Sequence, residues 1–274
     1  MIQELFRVGP IPISPFGVLL VLAFLAAYWQ LHRGLAFLGV GDADSASALV
    51  FAGGVGGVAG AKIYYAFLYG DWRLLLERSG LVWYGGFALG AAAVLWTLHR
   101  RRLPLWPVLD AMTPALALGY GIGRIGCFLV GDDYGVPTDL PWGVAFANGL
   151  PPSTAIYLRR EFGVELPASV PDSALLRVHP TQLYETLLAL AIFWFGYRML
   201  RRRPPAGRTA LAMFALLAVE RFLIEILRAK DDRWLGGLTL AQLISVAILV
   251  GVALLWRTRG SAPAGPPVAV GRRP

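Results

Sequence analysis

The chain has 274 residues, of which 57% are apolar and only 15% charged, and its mean hydropathy is +0.59. A soluble globular chain averages nearer a quarter charged, so this composition excludes disordered, collagen-like and disulfide-scaffold classes and directs attention to a membrane. The net charge of +8 would suggest nucleic acid in a soluble protein, but in a membrane protein it more often reports cytoplasmic loops, so the basic residues must first be located.

A spanning helix needs roughly 20 mostly apolar residues. Seven segments qualify along the chain: 16–31, 48–69, 81–98, 108–130, 182–200, 209–228 and 238–256. Trp29, Tyr69, Trp83, Trp106, Trp234 and Trp256 stand near their ends, where interfacial aromatic belts form. The first segment lacks a basic flank and a convincing cleavage site, so it reads as a retained helix rather than a signal peptide. The stretch 131–181 is far longer than the other connections, and its string Pro-Trp-Gly-Val-Ala-Phe at 141–146 predicts an ordered or interfacial loop. No internal repeat stands out, which counts against an inverted-repeat transporter. Residues 260–274 are rich in Pro and Gly and are expected to be a disordered tail after one polytopic domain, 1–259.

If alternate loops share a side, thirteen of the 25 basic residues fall together: Arg33, Arg100–Arg102, Arg198, Arg201–Arg203, Arg208, Arg257, Arg259, Arg272 and Arg273. The other side mixes Arg7, Arg73, Arg78, Arg159, Arg160, Arg177, Lys230 and Arg233 with most of the acidic residues. The positive-inside rule then predicts an all-α integral membrane protein with seven transmembrane helices, the N-terminus outside and the C-terminus cytoplasmic. The long loop between helices 4 and 5 lies outside on this topology.

Ionisable residues inside spans are costly and by default mark function. The second segment carries Gly53, Gly54, Gly56, Gly57 and Gly60, a close-packing face, and one buried lysine, Lys62. Tyr84-Gly85-Gly86 opens the third. Taken alone, Tyr84 is no more than an interfacial anchor. The fourth ends with five glycines (Gly119, Gly121, Gly123, Gly126 and Gly131) around Arg124. Two readings stand there: the segment unwinds and its backbone N–H groups hold an anion beside Arg124, or it stays a packing face with Arg124 snorkelling to the headgroups. Cys127, the single cysteine, is either a reactive thiolate beside Arg124 or a small buried side chain.

Before the fifth segment stands Val178-His179-Pro180-Thr181-Gln182-Leu183-Tyr184-Glu185, where Pro180 suits a helix start and the helix N-terminus is a natural anion-binding direction. His179 reads equally as a base, a cap or an interfacial residue. In the sixth, Arg221, Glu225 and Arg228 share one helical face, and an Arg221–Glu225 pair leaves arginine donors for a phosphate or carboxylate. The alternative is an ion pair that only fixes packing.

Together these segments resemble the prolipoprotein diacylglyceryl transferases of bacterial inner membranes, in the same order over most of the chain. The resemblance starts at Gly9-Pro-Ile, passes through the glycine-rich second segment, Gly85-Gly86, and Asp110 with Pro114. It is carried best by Gly123-Arg124-Ile-Gly126-x-Phe128-x-x-Gly131-Asp132-x-x-Gly135, His179-Pro-Thr-Gln-Leu-Tyr-Glu185 and Arg221-Phe-x-x-Glu225-x-x-Arg228.

The resemblance implies transfer of diacylglyceryl from phosphatidylglycerol to the thiol of a lipobox cysteine in a preprotein, releasing glycerol 1-phosphate. It implies no metal and no cofactor, and an active site toward the periplasmic side of the inner membrane; nucleic acid is set aside as a partner because the basic residues follow topology rather than a folded groove. Arg124, Arg221 and Tyr84 take the catalytic positions; Arg124, Gly123, Gly126, Asp132, Gly135, His179 and Glu225 take substrate-binding ones. Several positions depart from the family pattern. Its His-Gly-Gly is Tyr84-Gly85-Gly86 here, its two Asn are Cys127 and Val130, its Glu is Asp132, and a Tyr near the first span is Phe16. A tyrosine titrates near 10 and is a poor base at pH 7 unless arginines depress that value, which moves the proton-accepting task toward His179, Glu225, Asp132 or Asp133. The alternative these departures raise is a divergent paralogue that binds a phospholipid or transfers a different lipid headgroup.

Overall fold

The computed structural model describes residue 2 and residues 4–76, 82–230 and 237–259. Trp234, Arg78, Arg233 and the 260–274 tail lie outside the described residues, as does the start of the third predicted segment. Among the described residues eight α-helices form: α1 (Pro15–Leu38), α2 (Ala43–Tyr69), α3 (Trp83–Arg100), α4 (Leu105–Val130), α5 (Ala155–Arg160), α6 (Thr181–Arg201), α7 (Arg208–Leu227) and α8 (Leu240–Arg259). All but the short α5 coincide with a predicted apolar segment.

The boundaries move where polar residues cap a helix rather than interrupt it. Asp42 accepts from the Ser45 backbone N–H at 2.8 Å, so α2 begins at Ala43, ahead of the apolar run. Ser14 accepts from Gly17 N at 3.1 Å and Pro15 supplies a preset φ, which starts α1. That helix continues through His32 and Arg33 to Gly39, whose φ of 70° ends it.

Among the described residues five helices (α1, α2, α4, α6 and α8) are long and apolar enough to cross a membrane. Helix α7 falls short because it carries Arg208, Glu220, Arg221 and Glu225; α3, just long enough at 18 residues, is less apolar because it ends in His99 and Arg100. Large side chains on the outside point to the same environment: Phe51 is 72% exposed, Phe67 67% and Leu254 63%. Burying each such group is worth roughly 1.5–3 kcal/mol, so this surface calls for lipid rather than water. The protein is a membrane protein.

Helix α4 is the axis of the bundle, packing against α1, α6 and α7, while α3 lies along α2 and α8 along α7. Leu31, Leu35, Leu49, Leu98, Val108 and Ala111 bring α1 to α4 together at one end, and Ala117, Ile192 and Met213 join α4, α6 and α7. Only glycine fits where α2 meets α3: a Cβ on Gly60 or on Gly85 would strike the other's carbonyl oxygen.

The glycines of α4 act in the same way, and here the unwinding expectation is corrected. The helix runs unbroken to Val130 and ends at Gly131, with φ 76°. Gly119 lies over Ala23 O, Gly121 over Ala189 and Gly126 over Phe16, so the missing Cβ atoms admit α1 and α6 and leave the helical hydrogen bonds intact. Lys62 is also corrected: it is half-buried rather than buried.

Between α4 and α6 the chain folds over the end of the bundle. Strand β3 (Val144–Ala145) pairs antiparallel with β4 (Arg177–Val178), and Tyr134, Phe146, Leu158, Val178 and Ala229 form a core beneath them. The Pro-Trp-Gly-Val-Ala-Phe string is ordered as the sequence suggested: Phe146 is buried and Trp142 Nε1 donates to the Tyr184 hydroxyl at 2.7 Å. A small hairpin, β1 (Phe6–Val8) with β2 (Ile11–Ile13), precedes α1.

One buried carboxylate ties the helices that matter most. Asp110 on α4 accepts from the backbone N–H of Gly207 at 2.6 Å and of Ala210 at 2.7 Å. It caps α7 from a neighbouring helix, satisfying donors that would otherwise be orphaned. The placement of α7 against α4 is thereby fixed.

Candidate active site

The end of α4, the start of α6 and the end of α7 meet at one place. Each brings charge. Arg124 and Tyr120 stand four residues apart on one face of α4, Glu185 one turn into α6, and Glu220, Arg221, Glu225 and Arg228 on or just beyond α7.

Glu185 is the hub, and it is fully buried. It pairs closely with Arg124 Nη2, lies 3.4 Å from Arg221 Nη1 and 4.0 Å from Arg228 Nη1, and accepts from Tyr120 Oη at 2.9 Å. Arg221 Nη2 donates to Glu225 Oε2 at 2.5 Å, the i,i+4 pair expected from the spacing, and Arg228 Nε is 3.9 Å from the same carboxylate. Asp133, just past α4, bridges Arg124 Nη1 at 2.9 Å and Arg228 Nη2. Glu220, also buried, lies close enough for its charge to act on Tyr120 together with that of Glu185. Ions removed from water persist only when matched in this way.

The predicted site residues divide into three sets. Arg124, Arg221 and Glu225 sit in the cluster itself, and Asp132 adjoins it through its neighbour Asp133 and the Cys127 thiol. Gly123 opens onto free space among the described residues, since a Cβ there would meet no atom within 4 Å. Gly126 and Gly135 are packing positions. The first faces Phe16, and a Cβ on the second would crowd Leu227 O and the His179 Cβ. Gly135 thus holds the end of α7 against His179, just past β4, together with the Gly135 N–H to His179 O bond of 2.9 Å.

His179 and Tyr84 stand apart in kind. His179 Nδ1 lies 3.2 Å from the hydroxyl of Tyr184 in the first turn of α6, which also receives Trp142 from the overlying segment, so its ring is engaged with Tyr184 rather than with the charged cluster. Burial holds the imidazole below its usual value, leaving it neutral at pH 7. Tyr84 occupies the first turn of α3, edge-on to Trp83, on the helix pair that packs through α2.

Cys127 is buried, and Arg124 Nη1 donates to its Sγ at 3.5 Å. Ligand atoms of Cys127, Asp132 and Asp133 lie within 4.8 Å of one another. Arg124 already donates to two of those three residues, so the guanidinium supplies the positive charge at this spot.

Glu185, Tyr120 and Glu220 were not among the predicted site residues. Glu185 and Glu220 carried a signal, since a carboxylate in an apolar helix is functional by default. Tyr120 carried only its place one turn before Arg124.

Asp132 is pushed up to about 6, by burial first and by the Asp133 carboxylate second. In the unfolded chain it titrates near 3.9. The folded state therefore holds the extra proton between those values. The stabilisation is complete below about pH 4 and is lost as pH rises through about 6. Partial exposure reduces it to roughly 1–2 kcal/mol. Thermal unfolding of wild type and Asp132→Asn in detergent across pH 4–7 should show the wild type losing stability relative to the variant. Parallel pH profiles would contradict this.

Comparison with known proteins adds an independent line. The sequence profile of the family described as "Prolipoprotein diacylglyceryl transferase" matches residues 3–257. A Synechococcus elongatus protein named phosphatidylglycerol--prolipoprotein diacylglyceryl transferase is 32% identical over 92% of this chain and 86% of its own length. Proteins of the same name from Xanthomonas oryzae pv. oryzae and Vibrio parahaemolyticus are 32% and 28% identical, covering 93% and 90% of this chain and 90% and 86% of their own lengths.

Proposed function

The chain belongs to the prolipoprotein diacylglyceryl transferase family, and from that premise we propose that it moves diacylglyceryl from phosphatidylglycerol to the lipobox cysteine of preproteins. The observation that carries this reading is the arginine cluster at the junction of α4, α6 and α7. In the reaction a thiolate attacks the glyceryl carbon that bears the phosphate ester. An S–C bond forms, the C–O bond breaks, and the phosphate departs with the headgroup as glycerol 1-phosphate.

A leaving phosphate is stabilised by preorganised donors in a water-poor site, and Arg124, with Arg221 and Arg228 beside it in the same cluster, is placed for that task. Glu185 and Glu225 hold their guanidiniums, Gly123 leaves room beside Arg124, and Tyr84 occupies the family's histidine position on α3. The positive charge of the cluster also favours the thiolate over the thiol.

We place all seven long helices across the bacterial inner membrane, with the N-terminus outside and the C-terminus cytoplasmic. Of the charges on α7, Arg221 and Glu225 are paired inside the bundle and Arg208 stands at its end, which is compatible with spanning. The ends opposite the cluster support the orientation: Arg203 donates to Phe37 O at 2.8 Å and Arg101 pairs with Asp44 at 2.5 Å, so the basic residues just past α6 and α3 gather beside the end of α1 and the start of α2. The cluster and the segment over it then face the periplasm, where preproteins emerge.

Rescue of a bacterium depleted of its own transferase tests this reading, and growth with lipidated lipoproteins is the expected result. Failure of rescue by protein present in the membrane would contradict it. If that protein still bound phosphatidylglycerol, the divergent reading prompted by Tyr84 and Cys127 would take its place.

A further inference from the structure

The arginines of the cluster are covered. The side chain of Arg124 is 10% exposed and that of Arg228 7%, while the Asp133 carboxylate that joins them is 41% exposed. One oxygen of Asp133 meets Arg124 and the other meets Arg228. Two oxygens of one anion shared between two guanidiniums is also the contact that the two non-bridging oxygens of a phosphodiester would make.

We propose that the Asp133 carboxylate is a resident counter-anion holding the place of the substrate phosphate, and that lipid binding proceeds by displacing it. This rests on the reading of the cluster as the phosphatidylglycerol site.

Three features favour Asp133 as the group that leaves. Glu185 and Glu225, the other carboxylates ion-paired to these arginines, have fully buried side chains, whereas Asp133 stands at the mouth. Its backbone is held independently of its side chain: Thr181 Oγ1 donates to Asp133 O at 2.8 Å and Gln182 Nε2 to Asp132 O at 2.5 Å. The carboxylate can therefore swing away by side-chain rotation, with the loop still pinned. Charge balance agrees as well. Arg124, Arg221 and Arg228 face Glu185, Glu225 and Asp133, and a phosphodiester carries one negative charge, so exchange for Asp133 leaves the balance unchanged. Lys230, whose charge also acts on Asp133, lies beyond the end of α7 as a further cation at the mouth.

The residue offers a clean substitution. Its φ is +58°, a region that Asn adopts readily, so Asp133→Asn removes the charge and keeps size and backbone. Binding of glycerol 1-phosphate to the full chain in detergent is measured by calorimetry, and KM for phosphatidylglycerol in a transfer assay. In Asp133→Asn both constants should fall, the binding constant by roughly tenfold, as expected for removal of one competing charged contact. Unchanged or weaker binding by the variant, with the wild type transferring normally, would overturn the proposal. A wild type that neither transfers nor binds glycerol 1-phosphate would instead show that the phosphate reading has failed.

A second measurement needs no variant. Saturating wild-type protein carrying 13C-labelled aspartate with glycerol 1-phosphate should shift an aspartate carboxylate band in the infrared difference spectrum. A saturated complex with unchanged aspartate bands would overturn displacement even if the variant fails to fold.

Discussion

Arg124→Ala is expected to reduce diacylglyceryl transfer by about a thousandfold, the scale on which preorganised charge stabilisation is lost in other active sites. Arg124 is the only basic residue that α4 brings to the cluster, and it touches both Glu185 and Asp133. Removing it takes away a donor to the leaving phosphate and leaves Glu185 to Arg221 and Arg228, which lie farther off. Arg124→Lys separates charge from geometry. Lysine keeps the positive charge and loses the planar fork, so it should recover part of the rate but well below wild type. Initial transfer rates in membranes of matched protein content are the measurement. A wild-type rate in Arg124→Ala would remove Arg124 from the reaction.

Glu185→Ala is expected to have the largest effect on stability, about 3–5 kcal/mol, because it leaves buried cations without their main counter-charge. Arg124, Arg221, Arg228 and Tyr120 all turn toward this one carboxylate. Glu185→Gln keeps the shape and a hydrogen-bond acceptor for Tyr120 but loses the charge, so it should fall between alanine and wild type. The melting temperature in detergent would show the order wild type, Gln, Ala, with transfer lost in both variants. If Glu185→Ala melted like wild type, the hub role would be wrong.

Much of the fold was legible because lipid-facing helices need long apolar runs, and these runs coincide with the seven long helices. The Arg221–Glu225 pair was legible because four-residue spacing on a helix is a local fact. Elsewhere local patterns had no purchase. Glycines in α4 signal weak helix propensity, yet their outcome depended on α1 and α6 arriving to fill the space. Glu185 joins arginines from two other helices, a convergence that periodicity does not encode. Asp133 belongs to a non-helical segment and owes its place to Thr181 and to the end of α7. The pairing of Val144 with Val178 is likewise non-local, so the order of the long segment was readable while its architecture was not. Polar caps such as Asp42 explain why apolar runs understated the helix lengths.

The most direct test of the central claim is mass spectrometry of a lipobox peptide incubated with the purified chain and phosphatidylglycerol. The expected result is a mass gain of one diacylglyceryl group on the cysteine, released glycerol 1-phosphate in equal amount, and neither product with Arg124→Ala. A peptide unchanged in mass, with folded wild-type protein that binds the lipid, would contradict it.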